Sequence, residues 1–186
     1  MRAYVIALAS VAAVAVATPA AAEGFRAELH AGWDHADVFG DGDSGILYGV
    51  GLGYDFKVGE RVFLGVEANL DDSTQKECES NVLVTNDRLC VKAGRDISAA
   101  VRVGTDVSEA GKIYALAGYT NARFKVRYTD ASGTDSEGDN LDGFRLGAGY
   151  QHAIGSNTYA KLEYRYSNYE AGVERHQALV GFGVNF

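Results

Sequence analysis

The stretch HQALVGFGVNF, His176 to Phe186, alternates with a period of two. Ala178, Val180, Phe182, Val184 and Phe186 fall on one face, and Gln177, Leu179, Gly181, Gly183 and Asn185 on the other. One face is apolar; the other, Leu179 apart, is small or polar. Such a strand packs as well in a soluble core as against lipid, so its neighbours must decide.

Working back along the chain, the same alternation recurs. Thr158 to Tyr169 sets Ala160, Leu162, Tyr164 and Tyr166 against Lys161, Glu163, Arg165 and Ser167. Leu141 to Gln151 sets Phe144, Leu146, Ala148 and Tyr150 against Arg145, Gly147, Gly149 and Gln151. Lys112 to Tyr128 is apolar at every position from Ile113 to Ala117. Its later residues, Phe124, Val126 and Tyr128 against Arg123, Lys125 and Arg127, predict that even numbers face outward. Val91 to Thr105 carries a weaker apolar face of Val91, Ala93, Ile97, Ala99, Val101 and Val103, on which Arg95 must snorkel to a headgroup boundary. Arg61 to Leu70, Ile46 to Lys57 and Phe25 to Trp33 complete the set, with His30 on the charged face of the last. Gly49, Gly51 and Gly53 leave space for larger neighbours on one face of their strand.

Eight strands suit antiparallel closure. Val58–Glu60, Asp106–Gly111 and His152–Asn157 are short connections, whereas 35–44, 71–89 and 129–140 read as long loops. The two kinds alternate, as an up-and-down meander requires, placing the long loops together on one side.

The chain has 186 residues with 23 glycines and one proline, enough for one domain. Residues 1–22 combine a basic Arg2, an apolar run to Val16 and an Ala20-Ala21-Ala22 end, and read as a secretory signal peptide cleaved near Ala22. The domain is then residues 23–186. The formal charge of −8 excludes nucleic-acid binding through bulk charge. Export makes a disulfide between Cys78 and Cys90 the expected state of the two cysteines, ahead of a metal pair or a reactive thiol.

Charge decides which face is out. An eight-stranded barrel encloses room only for side chains or a small ligand. The small-or-charged face carries Arg26, Glu28, Arg61, Glu67, Lys92, Asp96, Arg102, Arg145, Lys161, Glu163 and Arg165. With interleaved glycines these signs can meet as an interior network, and an unpaired member would cost several kcal/mol. The opposite face places Phe25, Trp33, Tyr48, Phe56, Tyr128, Tyr150, Tyr166 and Phe186 near strand ends, as two interfacial belts around an apolar band require. The expected fold is all-β, an eight-stranded antiparallel up-and-down transmembrane beta-barrel. Its candidate lumen network is Arg26, Glu28, Arg61, Glu67, Arg102, Arg145, Lys161, Glu163 and Arg165.

The chain resembles the small outer-membrane beta-barrel proteins of Gram-negative bacteria, the broad family of the OmpA membrane domain and OmpX. Gly118-Tyr119, the run Asp142 to Gly149, Leu162-Glu163-Tyr164-Arg165-Tyr166 and the closing Val180 to Phe186 carry the likeness, which covers residues 23–186. It implies the cell outer membrane, contact with outer-membrane lipid and lipopolysaccharide, recognition of the C-terminal strand by the barrel assembly machinery, and a monomer. No attached peptidoglycan-binding domain is expected.

A non-enzymatic role in envelope integrity or surface interaction follows, with a small ion channel and a lipid-A-modifying enzyme as alternatives. His30, His35, His152 and His176 are dispersed, and no local Ser–His arrangement stands out for hydrolysis. Asp34, Asp37, Asp41 and Asp43 offer oxygens but lack the full calcium-loop pattern, so they read as a solvated turn. Neither cofactor nor metal is expected, and the surface ligand is left open.

Overall fold

The period-two alternation becomes a closed antiparallel sheet in the computed structural model, which describes residues 24–38, 41–80, 87–130 and 133–186. The expected signal peptide lies outside these residues. The strands are β1 (Gly24–Val38), β2 (Asp41–Lys57), β3 (Val62–Ser73), β4 (Lys76–Ser80), β5 (Arg88–Asp106), β6 (Gly111–Asp130), β7 (Gly133–Ala153), β8 (Thr158–Tyr169) and β9 (Val173–Asn185). Eight of them form the barrel wall. β9 pairs with β1, and β3 pairs with β5, so neither side of the sheet is left open. The short β4 extends the wall upward, pairing with Arg88–Lys92 at the start of β5.

The apolar face is outside. On β8, Leu162 is 60% exposed while Glu163 beside it is 1% exposed, and on β9 Phe182 is 63% exposed while Leu179 is buried. A soluble barrel would show the reverse. Exposed aromatics gather toward the two ends of the band: Trp33, Tyr48, Tyr119 and Phe144 at the level of the long hairpins, Phe25, Phe56 and Tyr150 at the level of the short turns.

The long connections differ from the sequence expectation. His35 pairs with Ser44 and Asp37 with Gly42, so the stretch 35–44 is mostly ladder. Thr129 pairs with Thr134, so 129–140 is too. Of 71–89, β3 takes residues up to Ser73 and β4 takes 76–80, and residues 81–86 lie outside those described. Above the membrane both faces of a hairpin meet water, so hydrophobic alternation fades while backbone hydrogen bonding continues.

One strand, β6, has the opposite parity from the one expected, and β5 departs from expectation only before Gly94, its Ile97, Ala99, Val101 and Val103 facing outward as expected. On β6 the even-numbered Tyr114, Leu116, Thr120 and Ala122 are buried, and Ile113 and Tyr119 are exposed. Even numbers therefore point inward. Phe124 packs inside against Ala122, Tyr169 and Val173, and Tyr128 donates its hydroxyl to the buried Asp87 instead of joining a belt. On β5 a bulge sets Gly94 and Arg95 together against Arg123 of β6, changing the strand's facing. Ala93 is buried before the bulge, Asp96 and Ser98 after it, and Lys92 is exposed instead of interior. Arg95 is exposed at the bulge itself, level with Arg123.

Candidate functional site

The lumen holds an unbroken run of alternating charges. From Glu67 the path passes to Arg26 at 2.6 Å, to Glu28 at 3.4 Å, to Lys161 at 2.5 Å and to Glu163 at 3.1 Å. It continues through Arg165 at 2.5 Å, Asp71 at 3.1 Å, Arg145 at 3.5 Å and Asp96 at 2.6 Å, then Arg175 at 3.2 Å and Asp34 at 2.5 Å. A side branch joins Arg102 to Asp55 at 3.5 Å and to Glu67 at 3.8 Å. All of these residues are buried.

The signs nearly balance. Asp34, Asp55, Asp71, Asp96, Glu28, Glu67 and Glu163 face Arg26, Arg102, Arg145, Arg165, Arg175 and Lys161. His30 sits between the two halves, its Nδ1 3.3 Å from Glu28 and its Nε2 2.5 Å from Asp71. Both ring nitrogens face carboxylate oxygens, and Nε2 is the one placed for a hydrogen bond, to Asp71. Neutral donors add to the pairing: Tyr114 donates to Glu163 at 2.5 Å, Tyr159 to Glu28 at 2.8 Å and Tyr169 to Asp96 at 2.8 Å.

Small residues on neighbouring strands make room for this chemistry. A Cβ at Gly51 would lie 2.6 Å from the side-chain oxygen of Asn69 and 2.9 Å from Glu28, and one at Gly53 2.6 Å from the Arg26 guanidinium. Apolar packing borders the charges at both ends. Phe63, Ala100, Tyr114 and Leu116 cluster toward the short turns, where the Arg102 guanidinium lies 4.1 Å from the Tyr114 ring centroid. Ala122, Tyr169 and Val173 cluster toward the long hairpins.

Eight of the nine lumen residues named from the sequence lie in this buried network: Arg26, Glu28, Glu67, Arg102, Arg145, Lys161, Glu163 and Arg165. The ninth, Arg61, is a correction, because β3 begins at Val62 and leaves Arg61 exposed in the turn before it. Sequence reasoning missed Asp34 and Asp71, read as turn and loop but lying in strands, Arg175, which fell just before the expected start of the last strand, and the tyrosines at 114, 159 and 169. The odd parity of Lys161, Glu163 and Arg165 was signal enough for Tyr159 and Tyr169. Asp34, engaged by Arg175, is removed from the acidic turn in which it had been grouped with Asp37, Asp41 and Asp43.

One Ser–His arrangement does exist. On the outer face above Trp33, His35 Nδ1 lies 3.0 Å from Ser44 Oγ and its Nε2 3.2 Å from Asp37. The imidazole stacks on the Trp33 ring with centroids 5.4 Å apart. Ser44 and His35 are direct partners in the β1–β2 ladder, which the sequence reading, treating this stretch as loop, could not see. Cys78 and Cys90, also cross-strand partners, form a disulfide.

The outer membrane protein beta-barrel domain family matches the chain over residues 6–186. The chain belongs to this family. A relative from Brucella ovis, the 25 kDa outer-membrane immunogenic protein, is 30% identical over 138 residues, 74% of this chain; the match spans 62% of that protein's length. Among solved structures, Ail, the attachment invasion locus protein of Yersinia pestis, superposes with a TM-score of 0.62 at 16% identity, covering 88% of this chain and 99% of Ail. Neisserial surface protein A gives a TM-score of 0.62 at 18% identity over 88% of this chain and 97% of its own. This family member is thus an outer-membrane barrel of Gram-negative type, seated in outer-membrane lipid and lipopolysaccharide.

Proposed function

We propose that the protein is a closed, non-enzymatic wall element of the outer membrane that supports envelope integrity and presents its long hairpins as an interaction surface. The observation that carries this is the charge ladder from Glu67 to Asp34, which occupies the lumen with groups already paired to one another. A conducting path needs charges free to exchange partners with a passing ion. Here each inner cation of the run holds at least two carboxylates, Arg26 three, and a buried pair resists losing one partner by several kcal/mol. The chain is exported with residues 1–22 as leader, assembles as a monomer, and is recognised by the barrel assembly machinery through Val180 to Phe186. Supporting this are the basic and apolar character of the leader and the aromatic Phe186 that follows β9.

Planar-bilayer recording of the purified protein tests the closed wall: no unitary conductance in potassium chloride is expected. Stepwise conductance that disappears in E163Q or R165Q would assign a channel instead. In cells, loss of the protein is expected to raise uptake of a hydrophobic dye across the outer membrane, and unchanged uptake would count against a role in envelope integrity.

A second reading rests on the Ser44–His35–Asp37 contact. Those residue types, hydrogen-bonded in that order near the aromatic belt, are the parts of an acyl hydrolase whose histidine takes the serine proton. Acyl release from purified lipid A that S44A and H35A both abolish would establish it and displace the non-enzymatic reading.

A further inference from the structure

The outer row of β6 continues above the membrane band. Past Tyr119 and Asn121, the same face carries Arg123, Lys125 and Arg127, all exposed. Cross-strand register puts Lys92 of β5 opposite Lys125, and Lys76 of β4 opposite Lys92. Three lysines therefore stand in one row across three strands. Arg127 lies one row higher, opposite Cys90, whose disulfide to Cys78 ties β4 to β5 in the middle of this face. The β5 bulge is what brings Lys92 here, since it reverses the strand's facing at Gly94 and Arg95.

These five cations line one cavity of about 730 Å³, together with Tyr48 and Thr74. Glu137 is the one acidic residue on its lining, and none of the five cations forms an ion pair or hydrogen bond with a described residue. Like charges directly opposite one another weaken a sheet. An acidic chain, of formal charge −8, thus keeps a row of mutually repelling cations with one acidic residue, Glu137, among the described residues that line the cavity. Such a face is completed by an external polyanion.

Position selects the anion. Strand parity places the cations on the lipid-facing side of the wall, above the apolar Ala117 and Val101 and the belt residues Tyr119 and Tyr48. Arg123 is four residues above Tyr119, about 13 Å along an extended strand. We propose that this face binds the phosphate groups of an outer-leaflet glycolipid whose acyl chains lie against β5 and β6. Arginine and lysine offer several charge-assisted hydrogen bonds to a phosphate, and the disulfide holds Lys76 and Lys92 at a fixed spacing. The site goes beyond the closed-wall reading and does not depend on it.

The test uses the mature protein in phosphatidylcholine nanodiscs doped with bisphosphorylated lipid A or with its dephosphorylated form, scoring lipid retained per barrel by native mass spectrometry. Preferential retention of the phosphorylated form is expected, reduced tenfold or more in K92Q/K125Q/R127Q and in K125E alone. R61Q, at the opposite rim, keeps wild-type retention, and heat-modifiable migration verifies that each variant is folded. Equal retention of the two lipids, or wild-type retention by folded K92Q/K125Q/R127Q, overturns the proposal. Binding of a soluble sulfated polysaccharide by those cations, with no preference between the lipids, would assign the face to a soluble polyanion and likewise overturn it.

Discussion

Lys161 of β8 meets Glu28 of β1 at 2.5 Å although the two strands are not neighbours; β9 runs between them, and Lys161 crosses it at Gly181. Gly181 is the register partner of both Lys161 and His30, and a Cβ there would lie 3.0 Å from the lysine stem. Replacing Gly181 by valine displaces that stem and separates the pair. Urea unfolding in detergent micelles, followed by tryptophan fluorescence, is expected to show a lower midpoint than wild type. An unchanged midpoint would mean that the lysine has room to reach Glu28 by another path.

Glu163 and Arg165 are two residues apart on β8 and fully inside the wall. E163Q leaves Arg165 and Lys161 each short of a partner, and R165M strips Glu163 and Asp71 of one. Each single change is expected to cost about 3–5 kcal/mol. The double variant E163Q/R165M should cost less than the two added together, because the pair is lost only once. Additive costs would show that the two groups are not coupled.

The disulfide closes a segment with a sequence separation of 12 outside the membrane band. Reduction, or C78A/C90A, is expected to free β4 and the start of β5 by about 3 kcal/mol of local stability on the chain-entropy account. Hydrogen exchange should rise at 76–80 and 88–92 and remain slow at 96–105, which pair with β3. Acceleration along the whole of β5 would contradict a local role.

The facing of β6 is open to direct measurement. A nitroxide on A117C is expected to be broadened by oxygen, which concentrates in lipid, whereas one on T120C, whose position is fully buried, is not. Equal responses would mean that Ala117 and Thr120 do not face opposite sides of the wall.

The sequence made the barrel legible wherever one strand face met lipid and the other the lumen. On β8, Leu162 and Tyr164 against Glu163 and Arg165 fix the facing without ambiguity, and the structure agrees. Legibility fails where that contrast fails. Tyr114 and Leu116 lie in a run apolar at every position, and the nearest clear alternation, at Phe124 and Tyr128, belongs to the part of β6 that has left the membrane. There the outer face is wet, so the basic Arg123, Lys125 and Arg127 mark the outside instead of the lumen. The same physics hid Asp34, Asp71 and Arg175, which sit at strand ends whose flanking residues read as loop. Arg61 was drawn in by extending a correct parity one residue past the start of its strand. The β5 bulge is marked in the sequence by Gly94 and by Arg95, the charge out of place on an apolar face, and the paired register shows what they mean.

The seam where the first and last strands join has a consequence for how this barrel reaches its final state. Arg175 on β9 holds Asp34 on β1, and Lys161 reaches Glu28 across the same seam. A half-zipped intermediate would carry Asp34 toward hydrocarbon without Arg175, and Glu28 without Lys161, at a cost that grows as water leaves. Docking of the two terminal strands and neutralisation of the interior are therefore one event, which turns insertion into an all-or-none step and makes a partly sealed ring the state that the membrane rejects.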